Sequence, residues 1–112
     1  MEESTKQLKE NVKNIADSLT NCNKWREEYA KDNDVDVEEV GAAEWLEDAL
    51  DIRYITSRDK EYISAQVLVA FGGPNIWVNF DDKEVVGYWG GDKERAPFND
   101  NLGVDDYLEE TF

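Results

Sequence analysis

The chain has 112 residues, enough for one domain built around a single hydrophobic core. Its hydrophobic content of 40% and aromatic content of 12% are too high for a disordered acidic protein, so we expect it to fold. Its formal net charge of -15 repels nucleic acid and anionic membranes and favours a basic protein surface as the partner.

The charge is concentrated in two blocks. Residues 1–31 contain six acids and six bases, whereas residues 32–51 contain nine acids and no base. Residues 52–91 are close to neutral, and residues 92–112 carry a net charge of -5. Two acidic blocks therefore flank a nearly neutral middle.

The first segment predicts a long amphipathic helix. Ser4 and Gln7 have the spacing of a capping box, and Asp32 to Asp34 should end the helix. Residues 20–23 have poor helix propensity and favour a kink or break there. Cys22, the one cysteine, is expected to be a small buried core residue. Apolar residues recur at steps of three and four, at Leu8, Val12, Ile15, Leu19, Cys22, Trp25 and Tyr29.

The first acidic block predicts a second helix with one acidic side. Asp36 and Glu39 repeat the capping-box spacing, and the helix is expected to continue to about Leu50. Carboxylates at i, i+3 and i+4 lie about 5 to 6 Å apart and destabilise a helix when no base pairs with them. We expect burial of Trp45, Leu46 and Leu50, and exposure of Glu44, Glu47, Asp48 and Asp51.

The middle of the chain predicts an antiparallel sheet, because the apolar period changes from 3.6 to 2. Four strands are expected, at residues 52–57, 62–71, 76–80 and 85–89, followed by a loop. A last short helix over residues 104–111 should expose Asp105, Asp106, Glu109 and Glu110. The fold class is therefore α+β, with two N-terminal helices, a four-stranded antiparallel sheet packed against them, and a short C-terminal helix.

The chain lacks the residues of common catalytic and metal sites. It has no histidine and a single cysteine, which excludes ordinary serine and cysteine triads and structural zinc sites. Residues 32–36 resemble the start of a calcium loop, but Val37 and Ala43 occupy the positions of the required glycine and glutamate. We therefore expect no cofactor and no catalysis. A small hydrolase that uses two carboxylates is the least favoured alternative.

Three aromatic residues of the sheet region, Trp77, Tyr88 and Trp89, have the character of a base-stacking platform. The surrounding negative charge is wrong for that use, so a core or interface role is favoured. No stretch approaches the roughly 20 apolar residues of a transmembrane helix. The N-terminus lacks the features of a signal peptide, and we expect a cytoplasmic protein with no membrane partner.

The acidic blocks predict nucleic-acid mimicry. Ordered carboxylates about 6 Å apart approximate the spacing of phosphates along one strand, so they can compete for grooves lined with Lys and Arg. The alternative is an interaction module whose acidity only provides solubility. The candidate partner-binding residues are Asp34, Asp36, Glu39, Glu44, Glu47, Asp48, Asp51, Asp105, Asp106, Glu109 and Glu110.

A partial resemblance supports this interpretation. Small, acidic, cofactor-free α+β proteins with such blocks resemble the anti-CRISPR and anti-restriction inhibitors that phages and mobile elements carry. The stretches Val69 to Val78 and Val86 to Trp89 are also similar to a segment of small proteins from mobile elements of Gram-positive bacteria, over roughly residues 46–112. The resemblance implies an inhibitor of a host defence nuclease, acting in the bacterial cytoplasm, with the RNA-guided nuclease of type II CRISPR systems as the favoured target.

Overall fold

The computed structural model describes the backbone of residues 2–112 and the side chains from Thr5 onward. It confirms the α+β class, with helices and one antiparallel sheet. The capping-box side chain of Ser4 lies outside the described residues. The helices are α1 (Glu2–Thr20), α2 (Cys22–Asn33), α3 (Ala42–Trp45) and α4 (Val104–Thr111), and the strands are β1 (Asp51–Thr56), β2 (Tyr62–Ala70), β3 (Asn75–Asn79), β4 (Glu84–Trp89) and β5 (Asp92–Pro97).

The sheet is a meander of five antiparallel strands in the order β1-β2-β3-β4-β5. The predicted count of four strands was wrong because β5 was assigned to a loop. Its sequence, Asp-Lys-Glu-Arg-Ala-Pro, lacks the apolar alternation that identifies a half-buried strand, with Ala96 as its one core-packed residue. Charged residues and a proline are usual on edge strands, and β5 forms one edge of this sheet.

One face of the sheet forms the core together with the helices. A row of aligned side chains crosses all five strands on this face, and its members belong to the core or pack against it: Ile52, Val67, Val78, Val85 and Ala96. Helix α1 lies across β4 and β5, and α4 packs on β2. The other face of the sheet, called the open face below, carries the residues that alternate with this row.

The long N-terminal helix is interrupted at Asn21, within the segment of poor propensity. Helix α1 packs on the sheet, whereas α2 contacts α1 and the turn that follows it. Cys22 begins α2 and is half-buried, so the expectation of a buried core cysteine was wrong. The break moves Cys22 out of line with the apolar stripe of α1 that faces the sheet.

The predicted second helix over residues 36–50 was also wrong. The chain forms a 3₁₀ turn (Val37–Glu39), the four-residue helix α3, and a second 3₁₀ turn (Leu46–Asp48). The extended backbone of Val40 and Gly41 separates the first turn from α3. Trp45 is buried as expected, but Leu50 is 60% exposed because Ala49 is extended and Leu50 already donates its N–H to Leu68 O.

Candidate acidic binding site

The loop between α2 and α3 displays acids on an ordered backbone. Every residue of the 31–39 stretch is exposed, including Asp34, Asp36 and Glu39. Arg26 of α2 holds the loop by donating from Nε to Val40 O at 2.7 Å and from Nη2 to Val37 O at 2.8 Å. Because these two hydrogen bonds hold the loop backbone against α2, the loop acids lie on an ordered surface.

Three carboxylates converge on Tyr29 of α2. The Tyr29 hydroxyl donates a hydrogen bond to Glu47, and this bond, more than burial, raises the pKa of Tyr29 to about 12. The negative charges of Glu44 and Asp48 contribute to the same rise. Glu44 is half-buried and accepts the Gly41 N–H at 2.8 Å, so its expected exposure was wrong, whereas Glu47 and Asp48 are exposed as predicted. We call the predicted row Glu44, Glu47, Asp48 and Asp51 the carboxylate ladder; three of its members lie on the short helical segment 42–48.

Asp51, the fourth predicted member of the ladder, lies elsewhere. It is the first residue of β1 and is exposed, and the register places it on the open face of the sheet. Its Oδ2 lies 3.8 Å from Nε of Arg53, so it has a basic neighbour. The change from helix to extended backbone after Asp48 takes Asp51 out of line with Glu44 and Glu47.

The C-terminal acids divide into one structural residue and three exposed ones. Asp105 is half-buried and accepts hydrogen bonds from the hydroxyls of Tyr62 and Ser64, so its expected exposure was wrong. Burial, followed by the bond to Asp105, raises the pKa of Tyr62 above its usual value. These bonds fasten α4 to β2. The remaining acids, Asp106, Glu109 and Glu110, are exposed as predicted.

Asp100 is a structural acid that the sequence analysis did not identify. Its Oδ1 accepts the N–H groups of Gly103 and Val104, at 3.1 and 3.0 Å, and its Oδ2 accepts the N–H of Asp105 at 2.9 Å. A carboxylate in this position satisfies the free N–H groups at a helix start and interacts favourably with the helix dipole. The sequence signal for this role was the position of Asp100 shortly before the predicted start of the last helix at residue 104.

The fold brings the two acidic blocks next to each other. Helix α4 packs directly against α3, although about 60 residues separate them in the chain. Within the described part of the chain the ion pairs are Arg53 with Asp51 and Arg95 with Glu84. Both involve the sheet, so the exposed acids of the loop, of segment 42–48 and of α4 form no ion pair among the described residues.

No protein-family model, curated protein or solved structure matches this chain. The site therefore has to be interpreted from its own chemistry. Among residues 5–112, whose side chains the structure describes, there is no cluster of three or more histidine, cysteine or carboxylate side chains placed to hold a metal ion. No helix in the same range is long and apolar enough to cross a membrane.

The three aromatic residues singled out in the sequence do not form one platform. Trp77 and Tyr88 point to the open face, where Arg53 lies 4.6 Å from the Trp77 ring centre and Lys93 lies 5.6 Å from that of Tyr88. Trp89 points the other way and packs against the core. The alternation of side chains along β4 separates neighbours 88 and 89 onto opposite faces.

Proposed function

We propose that the protein is an inhibitor that binds the basic nucleic-acid groove of a host defence nuclease, most specifically the RNA-guided nuclease of a type II CRISPR system. The observation that carries this proposal is the packing of α4 against α3, which makes neighbours of two acidic blocks that are far apart in sequence. The acidic surface is defined as the exposed carboxylates of these blocks: Asp34, Asp36, Glu39, Glu47, Asp48, Asp106, Glu109 and Glu110.

Electrostatics supports a basic partner. Close charge pairs across an interface contribute about 1.5 to 7 kcal/mol each in favourable cases, and their contributions are not additive. Like charges that are held together without counter-charges repel each other, so selection for stability alone does not favour the arrangement around Tyr29. A partner surface rich in Lys and Arg would relieve this repulsion. At the same time the carboxylates of this chain would occupy the side chains with which the partner binds phosphates.

A groove beside the acids supplies apolar contact for long basic side chains. It has a volume of about 300 Å³, and its lining combines apolar residues with polar ones and one acid: Ile15, Trp25, Trp45, Val69, Asn14, Ser18 and Asp48. Lys and Arg side chains bury their methylene stems on apolar surface while the charged end meets a carboxylate. Tryptophan rings also attract cations through their faces. The groove therefore suits a basic partner better than a purely polar surface would.

The decisive experiment compares two variants with equal change in net charge. In the acidic-surface variant Glu47, Asp48, Glu109 and Glu110 are replaced by Gln or Asn. In the control the same is done to four exposed acids at the β1–β2 and β3–β4 turns, Asp59, Glu61, Asp81 and Asp82. Each protein is titrated into a panel of guide-loaded type II nucleases, and DNA cleavage and complex formation are measured.

We expect the wild type and the control to inhibit at least one nuclease, and the acidic-surface variant to bind at least about 100-fold more weakly, a loss of about 2.7 kcal/mol. Binding should also weaken with added salt. Equal inhibition by both variants would show that the acids provide solubility only. If no nuclease of the panel is bound, and a lysate of a Gram-positive bacterium yields no salt-sensitive basic partner, the inhibitor function is wrong.

A further inference from the structure

The open face of the sheet carries a row of side chains that is polar at its ends and apolar in the middle. The row takes one residue from each of the five strands: Asp51, Leu68, Trp77, Val86 and Arg95. Leu68 and Trp77 are half-buried and Val86 is buried, and none of the three belongs to the cluster that the described helices form with the sheet. The row has an acid at the β1 edge and a base at the β5 edge.

The neighbouring row on this face has the opposite polarity. It begins with the base Arg53 on β1, crosses Gln66 and Asn79, and reaches the acid Glu84 on β4. Arg95 of the first row lies 3.7 Å from Glu84 of the second. The two rows thus place charges of both signs at both ends of an apolar centre, unlike the acidic surface, whose carboxylates form no ion pair among the described residues.

We propose that a second copy of this chain occupies the open face, in a dimer whose two-fold axis runs along β3. Strands in a sheet lie about 4.8 Å apart, so Asp51 on β1 and Arg95 on β5 each lie about 10 Å from β3, on opposite sides. Rotation about the axis places β1 of one copy over β5 of the other. Asp51 then meets the partner's Arg95 at both ends of the interface.

The same rotation pairs the apolar residues. Leu68 on β2 faces the partner's Val86 on β4, and Trp77 on β3 lies beside its own copy at the axis. Stacked sheets pack about 10 Å apart with their strands within about 30° of each other, a distance that large side chains such as Trp and Arg span. Each charged residue of the first row therefore has a partner of opposite sign, and each apolar residue has an apolar one.

The charge pattern favours a second copy over a nucleic acid. Single-strand binding requires a continuous basic track beside the aromatic rings. Three bases lie on this face, Arg53, Lys93 and Arg95, but Arg53 and Arg95 are neighbours of Asp51 and Glu84, whose carboxylates repel phosphate groups and interrupt the track. In the first row the exchange of an acid at one edge for a base at the other is what a self-complementary interface requires.

The dimensions predict a weak dimer. Four of the five strands have five or six residues and β2 has nine, so the part of the face that all five strands share measures roughly 24 by 18 Å, and two copies bury roughly 900 Å² in total. Interfaces below about 1,200 Å² belong to weak and transient complexes. We expect a dissociation constant on the order of tens of micromolar at physiological salt.

The test is charge exchange, measured by sedimentation over about 1 to 500 µM protein. Asp51→Arg alone and Arg95→Asp alone should each raise the dissociation constant at least about tenfold, because each places like charges opposite one another. The double variant Asp51→Arg/Arg95→Asp should restore it to within about threefold of the wild type. Asp59→Arg and Arg58→Asp make the same charge changes on the β1–β2 turn and should leave dimerisation unchanged.

Three results would overturn the proposal: a wild-type chain that is monomeric throughout this range, a double variant as weak as the single variants, or a Trp77→Ala variant that is folded by circular dichroism and dimerises normally. Binding of a labelled single-stranded oligonucleotide that Trp77→Ala abolishes would likewise assign the open face to nucleic acid. Asp51, Arg95 and Trp77 lie outside the acidic surface, so nuclease inhibition in the folded variants is tested separately.

Discussion

Gly87 on β4 lies where α1 packs closely on the sheet. A Cβ atom at this position would stand 2.7 Å from Val12 Cγ2 and 2.8 Å from Leu8 Cδ1, well inside van der Waals contact. Both neighbours are fully buried, with 1% and 0% of their surface exposed, so neither side chain has free space to move into. The substitution Gly87→Ala must therefore displace α1 or force its side chains out of their rotamers.

Overpacking of this kind costs about 1 to 3 kcal/mol. Unfolding entropy of about 2.1 cal/mol/K per residue amounts to about 0.24 kcal/mol/K for this chain, so the melting temperature should fall by about 4 to 13 °C. Thermal and urea unfolding followed by circular dichroism measures the change. The matched control is Gly73→Ala in the β2–β3 turn, where an added Cβ has no neighbour within 4 Å. It should change stability by less than about 0.5 kcal/mol.

A double variant tests whether the contact itself is the cause. Val12→Ala removes one of the two methyl groups that the new Cβ would strike, and Leu8 Cδ1 remains. The pair Val12→Ala/Gly87→Ala should therefore be more stable than the sum of the single effects predicts, by at least about 0.5 kcal/mol. Strict additivity, or a Gly87→Ala variant as stable as Gly73→Ala, would refute the close packing of α1 on β4.

Further predictions concern the two tyrosine–carboxylate contacts and metal content. Ultraviolet titration should show Tyr29 ionising near pH 12, and Glu47→Gln should move its pKa back toward 10; an unchanged titration would remove the contact from the site. Because the folded pKa is raised, this contact stabilises the fold below pH 10.0, and its contribution is lost as the pH rises through 12. Tyr62→Phe should cost about 1 to 2 kcal/mol in urea unfolding, because the half-buried Asp105 loses a hydrogen-bond donor, and a neutral effect would contradict that role. Metal analysis of the purified protein should find no stoichiometric zinc, and one bound equivalent would contradict the sequence analysis.

Local pattern was sufficient for elements that bury a continuous apolar stripe. The stripe of α1 and the alternation along β2, β3 and β4 predicted these elements correctly, because burial of a regular face dominates their stability. It failed for residues 36–50, where the expected capping box of Asp36 does not start a long helix. In the structure the helical segment begins only after Gly41 and ends before Ala49, whose backbone is extended. These breaks allow Trp45 to pack in the core and Leu50 to donate its N–H to Leu68 O of β2.

The candidate site was predictable in composition and not in geometry. The sequence identified the two acidic blocks, and exposure of Asp34, Glu47 and Glu109 agrees with the expectation. The sequence could not predict the hydrogen bond from Tyr62 to Asp105, because the two residues are 43 positions apart. It also could not remove Asp51 from the ladder without the register of β1 on β2.

The sequence by itself determined the α+β class, the absence of histidine-based chemistry and the negative charge, since these depend on composition and on periodicities of two to four residues. Only the tertiary structure decided which acids share a surface and which residues of the open face align. Both depend on long-range contacts, the packing of α3 on α4 and the register of five strands. A one-residue shift of register would exchange the two faces of a strand. Trp77 and Arg95 therefore lie on the same face only because packing of the neighbouring row in the core fixes the register of the strands.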